Sequence, residues 1–149
     1  MKKILCILLI MTATPILAQR AKKLELVSFV KEAAAFAKSN GFKKACDEFN
    51  DGSKFKRGEF YIFAYNYKGV VLCHGAKKAL IGKDLLNFKD VKGTELIKDF
   101  IREIKEGNGF VKYYWDHPET KTVKRKLGYA EKINEEYWIG SGIYFEEKE

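Results

Sequence analysis

Apolar residues change their spacing along the chain, and each change marks an element. From Arg20 to Lys38, Leu24, Val27, Val30, Ala34 and Ala37 recur at helical spacing, Ala33 to Ala35 add propensity, and Gly41 supplies a stop. The pattern predicts one long helix. Phe42 to Phe49 follows as a shorter one, closed by the turn-rich Asn50-Asp51-Gly52-Ser53. Phe60 to Tyr67 is dense in aromatic and β-branched residues, and Lys68-Gly69 separates it from Val70 to His74, which predicts a β-hairpin. Alternation sets Phe60, Ile62 and Ala64 on one face of the first strand, and Tyr61, Phe63, Tyr65 and Tyr67 on the other. The smaller face suits packing against the long helix. The face rich in phenols needs polar partners or a polar ligand.

Gly75 to Gly93 has no sustained period and reads as a long packed connection, a length that is often functional. Leu96, Ile97, Phe100, Ile101 and Ile104 mark an amphipathic helix stopped at Gly107-Asn108-Gly109. Three strands then follow, Phe110 to Trp115, Thr122 to Ala130 and Tyr137 to Phe145, with short links that favour an antiparallel meander. The expected fold class is α+β, with about five antiparallel strands and segregated helices in a single domain.

The N-terminus departs from this pattern. Met1-Lys2-Lys3 precedes an almost unbroken apolar run from Ile4 to Ala18, which is too short to span a bilayer and is followed by polar residues. These three regions predict a secretory signal at residues 1–18 with cleavage near Ala18, leaving 19–149 as a periplasmic domain. An uncleaved anchor is the competing reading. Removing the segment deletes two lysines and no acid, leaving 26 basic against 20 acidic groups. Because the basic residues are interspersed with acids, they read as a solvated face and nucleic acid is not expected as a partner. The densest cluster, Lys121 to Lys126, falls in a hairpin. At 46% hydrophobic and 14% aromatic, the 149 residues can fill a real core, so wholesale disorder is excluded.

Chemistry-bearing clusters are sparse. Two His and two Cys remain after export, and none is spaced as a metal site, so neither metal nor cofactor is expected. Cys73 and His74 are neighbours on a strand and point to opposite faces, which prevents their acting as nucleophile and base. No phosphate loop or nucleophile elbow is present, and an enzyme is not expected. In an oxidising compartment Cys46 and Cys73 can pair if the fold brings them within reach.

Five segments in register carry a family pattern: Tyr61-Ile62-Phe63-Ala64-Tyr65, Lys68 to His74, Ile81-Gly82-Lys83-Asp84-Leu85, Gly109 to Trp115, and Trp138-Ile139-Gly140-Ser141-Gly142-Ile143-Tyr144. Lys126 and Tyr129 add to it. The chain resembles the single Cache sensor domains of type 2. That resemblance implies a PAS-like antiparallel sheet behind a long N-terminal helix, and extracytoplasmic sensing of small molecules, often short organic acids, for chemotaxis and signal transduction. Family members usually continue into a transmembrane helix. This sequence stops at Glu149 after a charged tail, so a free-standing periplasmic protein is expected. Position 73 is commonly small and apolar in the family, and Cys73 departs from that.

The expected ligand site combines Tyr61, Tyr65, His74, Tyr113, Trp115, Lys126 and Tyr129. Tyr61 and Tyr65 are expected to converge on one small anion, with Leu72 beside His74 and with Lys126 or His74 as its cationic partner. The leading functional reading is a module that binds a small carboxylate and presents it to a membrane receptor or chemoreceptor. The alternative is a docking or homodimerisation module with no small ligand.

Overall fold

A computed structural model describes residues 14–145. Most of the expected signal segment, residues 1–13, and the charged tail, residues 146–149, lie outside the described residues. Thr14 caps the first helix, α1 (Pro15–Asn40), its hydroxyl accepting from the Leu17 N–H at 3.4 Å. Pro15 occupies the first turn, where its missing N–H costs nothing. The helix ends at Gly41, whose φ of 80° lets the backbone turn away while its N–H still reaches the Ala37 carbonyl. Ala18 therefore lies inside α1, continuous with the helix expected from Arg20. The buried stripe is Leu26, Phe29, Val30, Ala33, Ala34 and Ala37, while Leu24 is 64% exposed. The expected stripe was rotated, because Phe29 on the neighbouring row supplies more area to bury than Leu24.

Helix α2 (Phe42–Asp51) follows at once, and a short ribbon of β1 (Lys56–Arg57) and β2 (Phe60–Tyr61) leads into the main sheet. That sheet contains β3 (Phe63–Asn66), β4 (Val71–His74), β5 (Asn108–Asp116), β6 (Val123–Lys132) and β7 (Tyr137–Phe145) in the order β4-β3-β7-β6-β5, with every pairing antiparallel. Helix α3 (Leu96–Glu103) precedes the meander of β5, β6 and β7 as the periodicity predicts. The fold is α+β, with a long N-terminal helix behind a five-stranded antiparallel sheet.

The sheet separates two cores. One holds the α1 stripe, Phe49 and Phe55 with Ile62, Ala64, Cys73, Ile139 and Ile143; the other holds α3 with Tyr61, Phe63, Tyr65, Tyr113 and Trp138. This is the division of faces that alternation predicts for Phe60 to Tyr65. On β4 the alternation breaks. Ala64 pairs with Cys73 but Tyr65 pairs with Val71, so Leu72 is an extra bulged residue. Leu72 consequently packs with the α1 core and Val71 faces α3, which corrects the expected placing of Leu72 beside His74.

Cys73, facing the helices, is joined to Cys46 of α2 with their Cα atoms 5.5 Å apart. The bond ties α2 to the edge strand across 27 residues of chain. Protein isolated from the periplasm, unfolded without reductant and alkylated, is expected to show no modification at Cys46 or Cys73. Two alkylated cysteines in peptide mass maps would refute the bond. Replacing both by Ser is expected to cost about 3 kcal/mol of stability in denaturant unfolding.

Candidate ligand pocket and its buried lysine

Between the sheet and α3 lies a small cavity walled by Tyr61, Phe63, Tyr65, His74, Tyr113 and Trp115, with α3 closing it from above. The odd-numbered residues of β2, β3 and β5 reach it because one strand parity faces α3; His74 reaches it from β4 after the bulge. The centre of a water-sized sphere has about 10 Å³ in which to move there, room for about one water. Leu96, Ile97 and Phe100 of α3 supply the rest of the wall, and the connection from Gly75 onward packs Leu80, Leu85 and Leu86 against the same core. Its far end is pinned by Asp90, whose carboxylate accepts from the N–H groups of Lys92 and Thr94 at 2.9 Å and of Tyr114 at 2.7 Å. Burial pushes the Asp90 carboxyl up, and the backbone donors outweigh it, holding it below the usual range.

His74 is held as a neutral donor. Its Nδ1 accepts from the N–H of Lys77 at 2.9 Å and of Ala76 at 3.3 Å, so the ring proton belongs on Nε2. Burial, then Lys126 and Lys77, press its pKa down to about 3. This corrects one expectation: His74 does not offer an imidazolium to an anion at neutral pH. The ring packs with Tyr61 at 5.1 Å and with Trp115 at 6.3 Å between centroids. Lys77 closes the same corner, pairing with Asp116 and standing 5.4 Å from the Trp115 ring.

Lys126 is the basic side chain beside the cavity, and it is only 1% exposed. Its amine donates to the Tyr61 hydroxyl at 2.8 Å and stands 4.2 Å from the Tyr61 ring and 4.7 Å from the Tyr144 ring. Tyr61 and Tyr144 hydroxyls are 3.4 Å apart, and Tyr144 donates onward to the Asp116 carbonyl at 2.8 Å. Among the described residues no carboxylate lies within ion-pair distance of the Lys126 amine. Burial drives its pKa well below the ordinary lysine value, and Glu59 opposes this only in part. The same burial raises the Tyr61 and Tyr113 phenols, so both remain protonated.

Of the expected site residues, Tyr61, Tyr65, His74, Tyr113 and Trp115 line one cavity, with Lys126 behind Tyr61. Tyr129 does not join them. It packs in the α1 core against Phe110 at 4.7 Å and donates to Glu131 at 2.8 Å. Lys126 and Tyr129 stand three residues apart on one strand and so face opposite ways. Tyr61 and Tyr65 both line the cavity, with Phe63 between them on the same face, and Tyr65 stacks on Trp138 at 5.1 Å. Expectation missed Tyr144, Phe100 and Trp138, whose indole N–H is buried with no partner among the described residues. Strand parity placed Tyr144 and Trp138 on the pocket face from the start.

The profile of the single Cache domain 2 family matches residues 31–148. The chain belongs to that family. Cache domains are sensory modules of extracytoplasmic receptors. Among solved structures, a methyl-accepting chemotaxis protein from Vibrio parahaemolyticus is 26% identical, with a TM-score of 0.76 over 85% of this chain and 90% of that one. A Cache chemosensory domain described for carboxylic acid recognition superposes with a TM-score of 0.72 at 20% identity, over 90% of this chain and 100% of that one. A periplasmic sensor domain of a chemotaxis protein gives 0.69 at 22% identity, over 89% and 100%. No helix among the described residues of this Cache domain is long and apolar enough to cross a membrane.

The His74 geometry sets a pH test. Unfolded, the ring protonates near its usual value of about 6.5; folded, it stays neutral down to about 3. The unfolded state thus binds the extra proton between those values, and acidification through that window destabilises the fold. Imidazole nitrogen shifts of His74 are expected to stay constant from pH 8 to 5 in NMR spectra, in the Nε2–H pattern. A midpoint near 6.5 would contradict the site as described.

Proposed function

We propose that this Cache domain senses a short monocarboxylate in the periplasm, holding its carboxylate with Lys126 and Tyr61 and its hydrocarbon end among the aromatic walls. One observation carries the reading: a fully buried lysine amine with no carboxylate within ion-pair distance among the described residues. A buried ammonium needs an anion, and the aromatic wall beside it offers none. A small acid supplies the missing charge and accepts charge-assisted hydrogen bonds from the amine and the phenol. The cavity has room for about one water, so it must widen to take any acid, and it favours the shortest ones. The carboxylic-acid-recognising Cache domain with the same fold supports this choice of ligand class. A membrane receptor or chemoreceptor is the proposed recipient of the signal, and residues 1–18 the proposed export signal. Intact protein from the periplasm is then expected to begin near Gln19, whereas full-length protein confined to the membrane fraction would establish an anchor.

Proton linkage gives the binding a sign. In the empty pocket burial loosens the Lys126 proton; a bound carboxylate tightens it again. Binding therefore takes up protons, and affinity falls as pH rises through the lowered lysine pKa. Calorimetry with acetate, propionate, lactate and pyruvate, repeated in buffers of different ionisation enthalpy, is expected to show acid binding with proton uptake and no binding of the neutral amides. Tyr61→Phe is expected to weaken binding by about 1 to 3 kcal/mol and Lys126→Met by at least as much. Equal binding of acid and amide, or no binding of any acid, would favour the docking module instead.

A further inference from the structure

Lys126 reaches Tyr61 by crossing a neighbouring strand. It stands on β6 opposite Tyr144 of β7, and Tyr61 belongs to β2, which lies against β7 on the far side. Two residues before Tyr144, on the same face of β7, is Gly142. A Cβ at that position would stand 2.4 Å from Lys126 Cε, far inside the ~3.5–4.0 Å at which carbon atoms pack, and 3.0 Å from both Lys126 Cγ and the Leu127 carbonyl oxygen. The hydrocarbon stem of the lysine fills the space that any side chain at 142 would take. Backbone conformation does not explain the glycine, because Gly142 is absent from the residues with positive φ. Within a strand interior, glycine normally weakens the structure and often marks a close approach of another group. Gly128, its pairing partner, makes a different allowance, admitting Phe100 Cζ at 2.4 Å from where its own Cβ would be.

We propose that Gly142 is the positioning residue of the pocket: by lacking a side chain it opens the notch through which Lys126 crosses β7 to reach Tyr61. A methyl group at 142 has one inexpensive outlet. Lys126 also borders a wide cleft of about 770 Å³ between the start of α1 and the ends of β6 and β7, shared with Lys22 and Arg125. Pushed out of the notch, the amine swings into that cleft, loses Tyr61 and meets water. The geometric part stands on the contacts alone; its consequence for ligand affinity rests on the carboxylate reading above.

Limited acetylation with acetic anhydride and peptide mass mapping tests the geometry without any ligand. In the wild-type protein Lys126 is expected to be protected relative to Lys43, whose side chain is 90% exposed. Gly142→Ala is expected to raise Lys126 modification at least tenfold. Gly140→Ala serves as the control, because its Cβ would meet Phe63 and the Tyr129 carbonyl but not Lys126. Protection of Lys126 in folded Gly142→Ala, or equal modification in both variants, overturns the proposal. Melting temperatures provide a second route should Gly142→Ala fold poorly. The substitution is expected to lower Tm in the wild-type background and to leave it unchanged or raise it in Lys126→Ala, where the notch is empty. An equal loss in both backgrounds overturns the proposal. Acid binding is read separately: if wild-type protein binds no acid while Gly142→Ala still exposes Lys126, the ligand reading fails and the positioning role stands.

Discussion

The interaction on which the pocket depends is a lysine amine placed where water cannot reach it. Lys126 gives up hydration for one phenol at 2.8 Å and the faces of two tyrosine rings. Such contacts recover part of the solvation of an ammonium and leave a deficit. The deficit appears as a lowered pKa, so the unfolded chain binds the proton more firmly and the cost falls as pH rises. A fold that keeps this cost must hold Lys126 by other means. Strand pairing on both sides, the glycine opposite Lys126's stem and the Tyr61–Tyr144 pair are those means.

Everything else in the architecture serves to separate two faces of one sheet. The α1 side is packed with aliphatic and phenylalanine side chains and closed by the Cys46–Cys73 bond, so it acts as a rigid back. The α3 side is lined with tyrosine, tryptophan and histidine, and its cover is a connection with little regular structure, held by Asp90 at one end and by the Lys77 pair with Asp116 near the other. Rigidity on one face and a tied loop on the other are suited to a cavity that must admit a solute. Cys73 and His74 mark the division within one dipeptide, the first bonded into the back and the second forming the pocket wall.

Period-two arithmetic makes most of this legible in the sequence. The two faces of Phe60 to Tyr65, the opposed directions of Cys73 and His74, and the meander of three strands all follow from it and are observed. Tyr129 failed by the same arithmetic, since a residue three places from Lys126 cannot share its face. Other features were not available to pattern reading. The Leu72 bulge depends on how β4 meets β3, a property of the pair and not of either strand. The depth of Lys126 was concealed by its neighbours, because a run of basic residues in a hairpin resembles a solvated surface until the pairing with β7 is known. The neutral state of His74 depends on two backbone N–H groups supplied by the following turn.

Pocket and N-terminal helix are connected by hydrogen bonds as well as by packing. From Lys126 the chain of contacts passes through Tyr61 to Tyr144, whose N–H donates to Glu59 at 3.4 Å and whose carbonyl accepts from Lys22 of α1 at 3.4 Å. Lys22 pairs with the same Glu59. Burial of Glu59 makes this junction less screened than a surface pair, so its geometry matters more to its energy. Lys126 and the first turns of α1 therefore share Tyr144 as a common partner. A displacement of the Lys126 amine from Tyr61 therefore has a hydrogen-bonded route to α1 through Tyr144, one that does not pass through the close-packed core.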